Sequence, residues 1–382
     1  MSKPIYLDYA ATTPVDPKVA AVMADCLTLE GTFANPASRS HVYGWQAEEK
    51  VELARRQVAD LLACDPREIV WTSGATESDN LALKGVFEPF NFQGHLLTSI
   101  IEHKAIIDTA KWLEARGVAI TWLKPDREGL ISADQVREAL RPDTRLVSLM
   151  YVNNEIGTVN PIAEIGGICR DANVLFHVDA AQAVGKLDLG VETLKADLLS
   201  LSAHKFYGPK GVGALYLRRS VQRRVAPLIH GGGHERGLRS GTLPTHQIAG
   251  TGEAARLAVE NRARESARIA ELRDSLWEGI ADLPGLKRNG SSHQVSSSHL
   301  NLCFSGIDGE TLLLSLRDIA VSTGSACTSA SMEPSYVLKA MGVSDADALS
   351  ALRISLGRFT TREDIERAVE SIRRTVLQLQ AA

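Results

Sequence analysis

The sequence predicts an α/β protein: a mostly parallel sheet covered on both faces, followed by a smaller α+β portion. Two observations lead there. Short strand-like runs alternate with stretches of helical periodicity through the first part of the chain. Several of these runs, Val174–Val178 and Asp197–Leu201 among them, are apolar almost throughout, the pattern of strands buried on both faces. A third observation concerns length. At 382 residues the chain is long for one core, so two domains are expected.

In order, Lys3–Thr13 reads as an extended entry segment and Thr32–Ser38 as a loop in which Asn35 is a turn former. Glu48–Ala63 carries Val51, Ala54, Val58, Leu61 and Leu62 at helical spacing. Ile69–Ser73 is a strand, followed at once by Gly74-Ala75-Thr76 and helix-forming residues. That turn offers free backbone N–H groups to a phosphate, or is simply capped by Ser73 or Thr76. Strands Leu96–Ile101, Ala119–Leu123 and Arg145–Val152 then alternate with helices Ile106–Arg116, Ser132–Leu140 and Ile162–Ala172. After the two apolar strands comes Gly213–Leu217. His230–Arg236 and Arg239–Thr242 form a glycine-rich loop, either a connection or a phosphate contact. Thr245–Leu283 is a long helical stretch, with a kink expected at Gly250 and Gly252.

The remainder alternates strands His299–Phe304, Ile319–Ser322 and Leu352–Leu356 with helices Glu310–Leu316, Pro334–Met341 and Arg362–Leu377. Between them, Thr323–Ser331 is almost wholly small or polar and holds Cys327. Cysteine is usually buried and inert. In such a loop it is expected to be exposed and reactive.

Composition excludes several classes. The net charge of -4 gives no reason for nucleic acid or an anionic membrane as partner. No apolar run approaches the roughly 20 residues of a membrane span, and the N-terminus has no signal pattern. The five cysteines, Cys26, Cys64, Cys169, Cys303 and Cys327, are odd in number and lack a C-x-x-C pair. That argues against a disulfide framework or a zinc site and for a reducing, cytoplasmic setting.

Asp179 ends one buried strand and Lys205 follows the next. Strand C-termini are where open α/β sheets collect ligands. An acid and a lysine so placed suit pyridoxal phosphate, which needs a lysine for its Schiff base and an acid for its ring nitrogen. A solvated lysine beside an ordinary aspartate is the alternative for these two residues alone.

Ten segments taken together decide between them. Tyr6–Thr13, Asn35–Ser38, Ser73–Ser78, Glu102-His103, Asn153–Gly157, His177–Gln182, Ser202–Lys205, Arg239–Thr242, Gly324–Cys327 and Arg353–Arg358 stand in the order seen in one family. The chain resembles the NifS/IscS-like cysteine desulfurases, class V enzymes of the fold-type I pyridoxal-phosphate group. Gly-Ser-Ala-Cys-Thr-Ser-Ala resembles the long-loop subgroup.

The resemblance implies a homodimer acting on L-cysteine, with roles for matching residues. Lys205 would carry the Schiff base and then move protons as a general acid/base. Asp179 would pair with the ring nitrogen, Gln182 with the phenolic oxygen, with Asn154 on that side, and His103 would stack on the ring. Ala75, Thr76, Ser202 and His204 would hold the phosphate, with Thr242 reaching that of the neighbouring subunit. Arg353 and Asn35 would bind the substrate carboxylate. Cys327 would take the sulfur as a persulfide and pass it to an acceptor protein for iron–sulfur assembly or thiolation. The implied division is an N-terminal segment 1–14 packing with the small domain, a cofactor-binding domain 15–255 and a small domain 256–382.

Family members of the housekeeping type have a longer C-terminal tail that helps dock the iron–sulfur scaffold. This sequence stops at Leu379-Gln380-Ala381-Ala382. A nitrogenase-type scaffold, a tRNA-thiolation relay or a DNA-sulfur system therefore stand as other acceptors. The competing functions are another class V reaction, such as selenocysteine lyase, and a non-catalytic binding partner. Loss of Lys205, Asp179 or Cys327 would mark the latter, and all three are present.

Overall fold

The computed structural model describes residues 3–323 and 333–381. Seven strands form one sheet in the order Ile69–Thr72, Gly213–Leu217, Leu198–Ser202, Leu175–Asp179, Thr144–Met150, His95–Ser99, Ala119–Leu123. All are parallel except Gly213–Leu217, which runs against both of its neighbours. The expected strands are all present, and the sheet is mixed through that one reversal.

Side chains alternate across the strands, so the apolar runs feed two cores. Val70, Leu96, Leu146, Leu175 and Leu198 pack on one face with helices Ala75–Phe87 and Lys104–Glu114. Trp71, Leu97, Val147, Phe176 and Leu199 pack on the other with helices Val42–Leu62 and Ile162–Asp171. Each such side chain contributes roughly 1.5–3 kcal/mol on burial. The two-sided cover holds the sheet, and with it the positions of the strand ends.

The kink expected at Gly250 and Gly252 is absent: Thr245–Ile280 is one helix of 36 residues, about 54 Å long at ~1.5 Å per residue. The glycines serve close packing instead. A Cβ at Gly250 would stand 2.6 Å from Met23 Cγ, and one at Gly252 would stand 2.5 Å from Ala54 Cα. Helices Pro17–Ala24 and Val42–Leu62 can therefore lie against the long helix.

The first half of this helix joins the sheet's core through Ile248, Ala255 and Leu257. Its second half places Ile269, Leu272, Leu276 and Ile280 at helical spacing on a separate apolar cluster with Leu300, Leu302, Ile354 and Ile372. There, three antiparallel strands run in the order Ala351–Ser355, His299–Phe304, Leu286–Asn289. Helix Arg362–Gln380 covers them, opened by a Thr361/Asp364 capping box. The entry segment is tied to this region, with Ile5–Tyr6 pairing in parallel with Ile319–Ala320.

Candidate active site

The turns that leave the C-terminal ends of the parallel strands surround one cavity of about 570 Å³. Strand Ile69–Thr72 delivers Ser73 to Thr76, strand His95–Ser99 leads to His103, and strand Thr144–Met150 leads to Asn154. Asp179 is the last residue of its own strand, and Ser202, His204 and Lys205 follow the next. Arg353 enters from the smaller sheet and Ala10 to Thr12 from the entry segment. All of these line the cavity.

At one end, helix Ala75–Phe87 begins bare. Its N-cap is Gly74, with φ of 151° and no side-chain cap. A Cβ there would sit 3.6 Å from Ser202 Oγ. The first N–H groups of a helix carry partial positive charge and favour an anion. Beside them His204 Nδ1 and Thr12 Oγ1 are 3.1 Å apart. Burial, with Lys205 and Lys210 nearby, depresses the His204 imidazole to about 4. Glu77, the acid of that first turn, is turned to structure: it accepts from Ser73 N at 2.8 Å and Arg239 Nε at 2.9 Å.

In the middle, Lys205 Nζ donates to Ala10 O at 2.6 Å and to Ala11 O at 3.0 Å. Gln182 Nε2 donates to the same Ala10 O at 2.8 Å, while its Oε1 is buried and has no hydrogen-bond partner among the described residues. Asn154 Oδ1 is in the same condition. Asp179 Oδ1 accepts from Ala181 N at 2.9 Å. Burial raises this carboxyl, opposed by the nearby His103, the Ala181 N–H and Lys205.

His103 caps helix Lys104–Glu114, its Nδ1 accepting from Ala105 N at 3.2 Å. The neutral ring therefore carries its proton on Nε2. Burial holds this imidazole below its ordinary value, against the pull of Asp179.

At the far end, Arg353 is 4% exposed. Its Nη2 donates to Asp8 Oδ1 at 2.8 Å and its Nη1 to Asn154 O at 3.0 Å.

A family model described as aminotransferase class-V matches residues 5–368. The chain belongs to that family. Cysteine desulfurase IscS of Acinetobacter baumannii (strain AYE) is 59% identical over 381 residues, 99% of this chain and 94% of the relative. A solved structure described as a NifS-like protein superposes with a TM-score of 0.91 at 37% identity, covering 98% of this chain and 100% of that one. A structure of SspA in complex with cysteine gives 0.83 at 44% identity, covering 94% and 100%. Within the class-V family the chain is an enzyme of the cysteine desulfurase group, and the family implies pyridoxal phosphate.

The class-V fold gathers ten of the expected site residues on this one cavity: Ala75, Thr76, His103, Asn154, Asp179, Gln182, Ser202, His204, Lys205 and Arg353. Two lie off its lining. Asn35 is exposed, and its Oδ1 accepts from Ala37 N at 2.9 Å, the turn role that its chemistry alone suggests. Thr242 is exposed as well. Cys327 lies outside the described residues.

Several groups in or behind the cavity lining had no role in the sequence reading. The carbonyls of Ala10 and Ala11 receive Lys205, Asp8 holds Arg353, and Asp79 lines the floor beside Asp179. The Tyr6–Thr13 motif was the available signal for the first two. Among the described residues no group of three or more His, Cys, Asp or Glu is placed to hold a metal.

Proposed function

We propose that this chain binds pyridoxal phosphate in the cavity and converts L-cysteine to L-alanine, passing the sulfur through Cys327 to an acceptor protein. The observation that carries the reading is the meeting of Lys205, Asp179 and a bare helix N-terminus on one cavity of a class-V chain. The cofactor fits what the cavity offers. Ala75 and Thr76 N–H groups with Ser202 and His204 would hold its phosphate. The partnerless oxygens of Gln182 and Asn154 are acceptors in need of a donor, and Asp179 is the buried acid for a ring nitrogen. Bound there, pyridoxal phosphate supplies a sink for the electron pair left when the substrate Cα loses its proton.

The chain's own groups do the rest. Lys205, first held on Ala10 O and Ala11 O, takes and returns the Cα proton. His103, whose Nδ1 accepts from Ala105 N and whose imidazole burial holds below its ordinary value, would stack on the ring and offer its Nε2–H as a hydrogen-bond donor. Arg353 holds the substrate carboxylate, with Asn35 in the same role from the loop outside. Cys327, as thiolate, attacks the substrate sulfur. An S–S bond forms, the Cβ–S bond breaks, and its electron pair stays with carbon, which gains a proton to become the methyl of alanine. Cysteine carbon is reduced as sulfur is oxidised, so no outside oxidant is required.

A homodimer belongs to the same proposal, with Thr242, exposed and off its own chain's cavity, reaching the neighbour's phosphate. So does a cytoplasmic setting, in keeping with unpaired Cys26, Cys64, Cys169 and Cys303. Among the described residues no helix is long and apolar enough to cross a membrane. The division at 14 and 255 is likewise proposed, supported by the separate apolar clusters on the two halves of the long helix.

The test is the visible absorbance of the purified protein before and after L-cysteine with a thiol reductant, with alanine and sulfide measured together. A coloured protein giving both products one for one, and a Cys327→Ser variant that keeps the colour but forms no persulfide, support the reading. Undiminished sulfide release from that variant sinks the role of Cys327.

A further inference from the structure

Ala10, Ala11 and Thr12 of the Tyr6–Thr13 motif line the cavity, and the cysteine desulfurase reading leaves the motif's Asp8 unassigned. Asp8 Oδ1 accepts from Arg353 Nη2 at 2.8 Å and from Ser322 Oγ at 3.2 Å. Ser322 and Arg353 are also joined through their backbones, Arg353 N to Ser322 O at 2.7 Å and Ser322 N to Arg353 O at 3.3 Å. With Nη1 on Asn154 O, the guanidinium is held at two nitrogens. Its buried Nε has no hydrogen-bond partner among the described residues.

A buried arginine needs such a fixture because it has another carboxylate to turn to. Glu155 is buried and feels the Arg353 charge. An arginine fork released from Asp8 would be free to turn toward that acid, which would re-aim its remaining N–H donors in the cavity it lines.

We propose that Asp8 is a positioning residue: it fixes the plane of Arg353 so that the N–H donors not engaged by Asp8 and Asn154 meet the carboxylate of an amino-acid substrate. The site thereby selects α-amino acids over amines that lack the carboxylate. This rests on Arg353 being the carboxylate binder, as proposed above.

The test is calorimetric binding of L-alanine and of ethylamine, its carboxylate-free counterpart, to the cofactor-loaded enzyme. Asp8→Ala is expected to cut the preference for L-alanine about ten-fold, and Asp8→Asn, which keeps an oxygen in place, to cut it by about three-fold. A merely structural defect weakens both probes alike, leaves the preference unchanged and so counts against the proposal. Arg353→Ala separates the two levels. If that variant loses the preference while both Asp8 variants keep it, the positioning role is overturned and the arginine's role stands. If Arg353→Ala also keeps it, the carboxylate reading fails and the Asp8 proposal with it. Should Asp8→Ala not fold, Asp8→Asn decides alone, an unchanged preference being the negative result.

Discussion

At one edge of the sheet Arg55 meets Glu235 through hydrogen bonds of 2.7 and 2.9 Å. Further contacts run from Arg55 to Ile69 O and Glu52, and from Trp71 N to Glu235. Near the cavity floor, Asp79 and Glu102 lie as deep, yet none of their four carboxyl oxygens has a hydrogen bond of ordinary geometry among the described residues. The imidazole beside Asp79, that of His177 at 3.6 Å, is kept neutral by burial, which lowers it to about 3. Burial and the neighbouring Asp179 push both acids well above the usual carboxylate range. A buried ion pair is tolerable when each lone pair and proton is used. Where partners are missing the group gives up its charge instead. The first arrangement fastens helix Val42–Leu62 to the sheet; the second leaves Asp179 as the acid on the floor that His103 and Lys205 favour in its charged form.

The contrast can be broken at several points. The largest effect is expected from Lys205→Ala, which should lower alanine formation by about 1,000-fold or more while the melting temperature stays near the parent's, measured on the same preparation. Next comes Glu235→Gln, which takes the buried partner from Arg55 and leaves it only the part-exposed Glu52, and should cost about 3 kcal/mol in urea unfolding. Asp79→Asn, at a carboxyl that burial and Asp179 push upward, breaks no hydrogen bond among the described residues, so its cost should stay within about 1 kcal/mol. Equal losses from these two variants would erase the distinction drawn between the sites.

A smaller effect concerns pH. Burial raises the Glu155 carboxyl to about 7, although Ser335 and Arg353 oppose it. The folded protein then holds a proton that the unfolded chain has released, from the ordinary glutamate value upward. Its stabilising share is complete below about 4.3 and is lost as pH rises to about 7. Melting curves between pH 5 and 7.5 should fall more steeply for the parent than for Glu155→Gln. Parallel curves would place the Glu155 titration elsewhere.

Much of this was legible in the residues. Continuous apolar runs such as Val174–Val178 have few other uses than a doubly covered strand, and the motif order brought ten site residues to one cavity. Strand direction was less readable: Gly213–Leu217 looks like its parallel neighbours because burial, not orientation, sets its composition. Leu286–Asn289, with the sequence Leu-Lys-Arg-Asn, is a strand through pairing with His299–Phe304 rather than through any pattern of its own. Gly250 and Gly252 suggested a kink because a sequence cannot tell a flexible helix position from one pressed against a neighbour. Asp8 and Asp79 drew no role from the sequence, since nothing local distinguishes a carboxylate that tertiary packing will bury or pin.

The entry segment has one more consequence, in the order of synthesis. Asp8 meets an arginine 345 residues further along the chain, and Ala10 N meets Ser355 Oγ across the same distance. While the ribosome is still making the sheet, Lys205 can already emerge on its strand, but the carbonyls and the arginine that complete its surroundings cannot yet be joined. The sheet can assemble early, whereas the reactive cleft closes only after Arg353 and Ser355 have been made. A nascent chain is thus a scaffold before it is a catalyst, and its entry segment must wait for partners made 345 residues later.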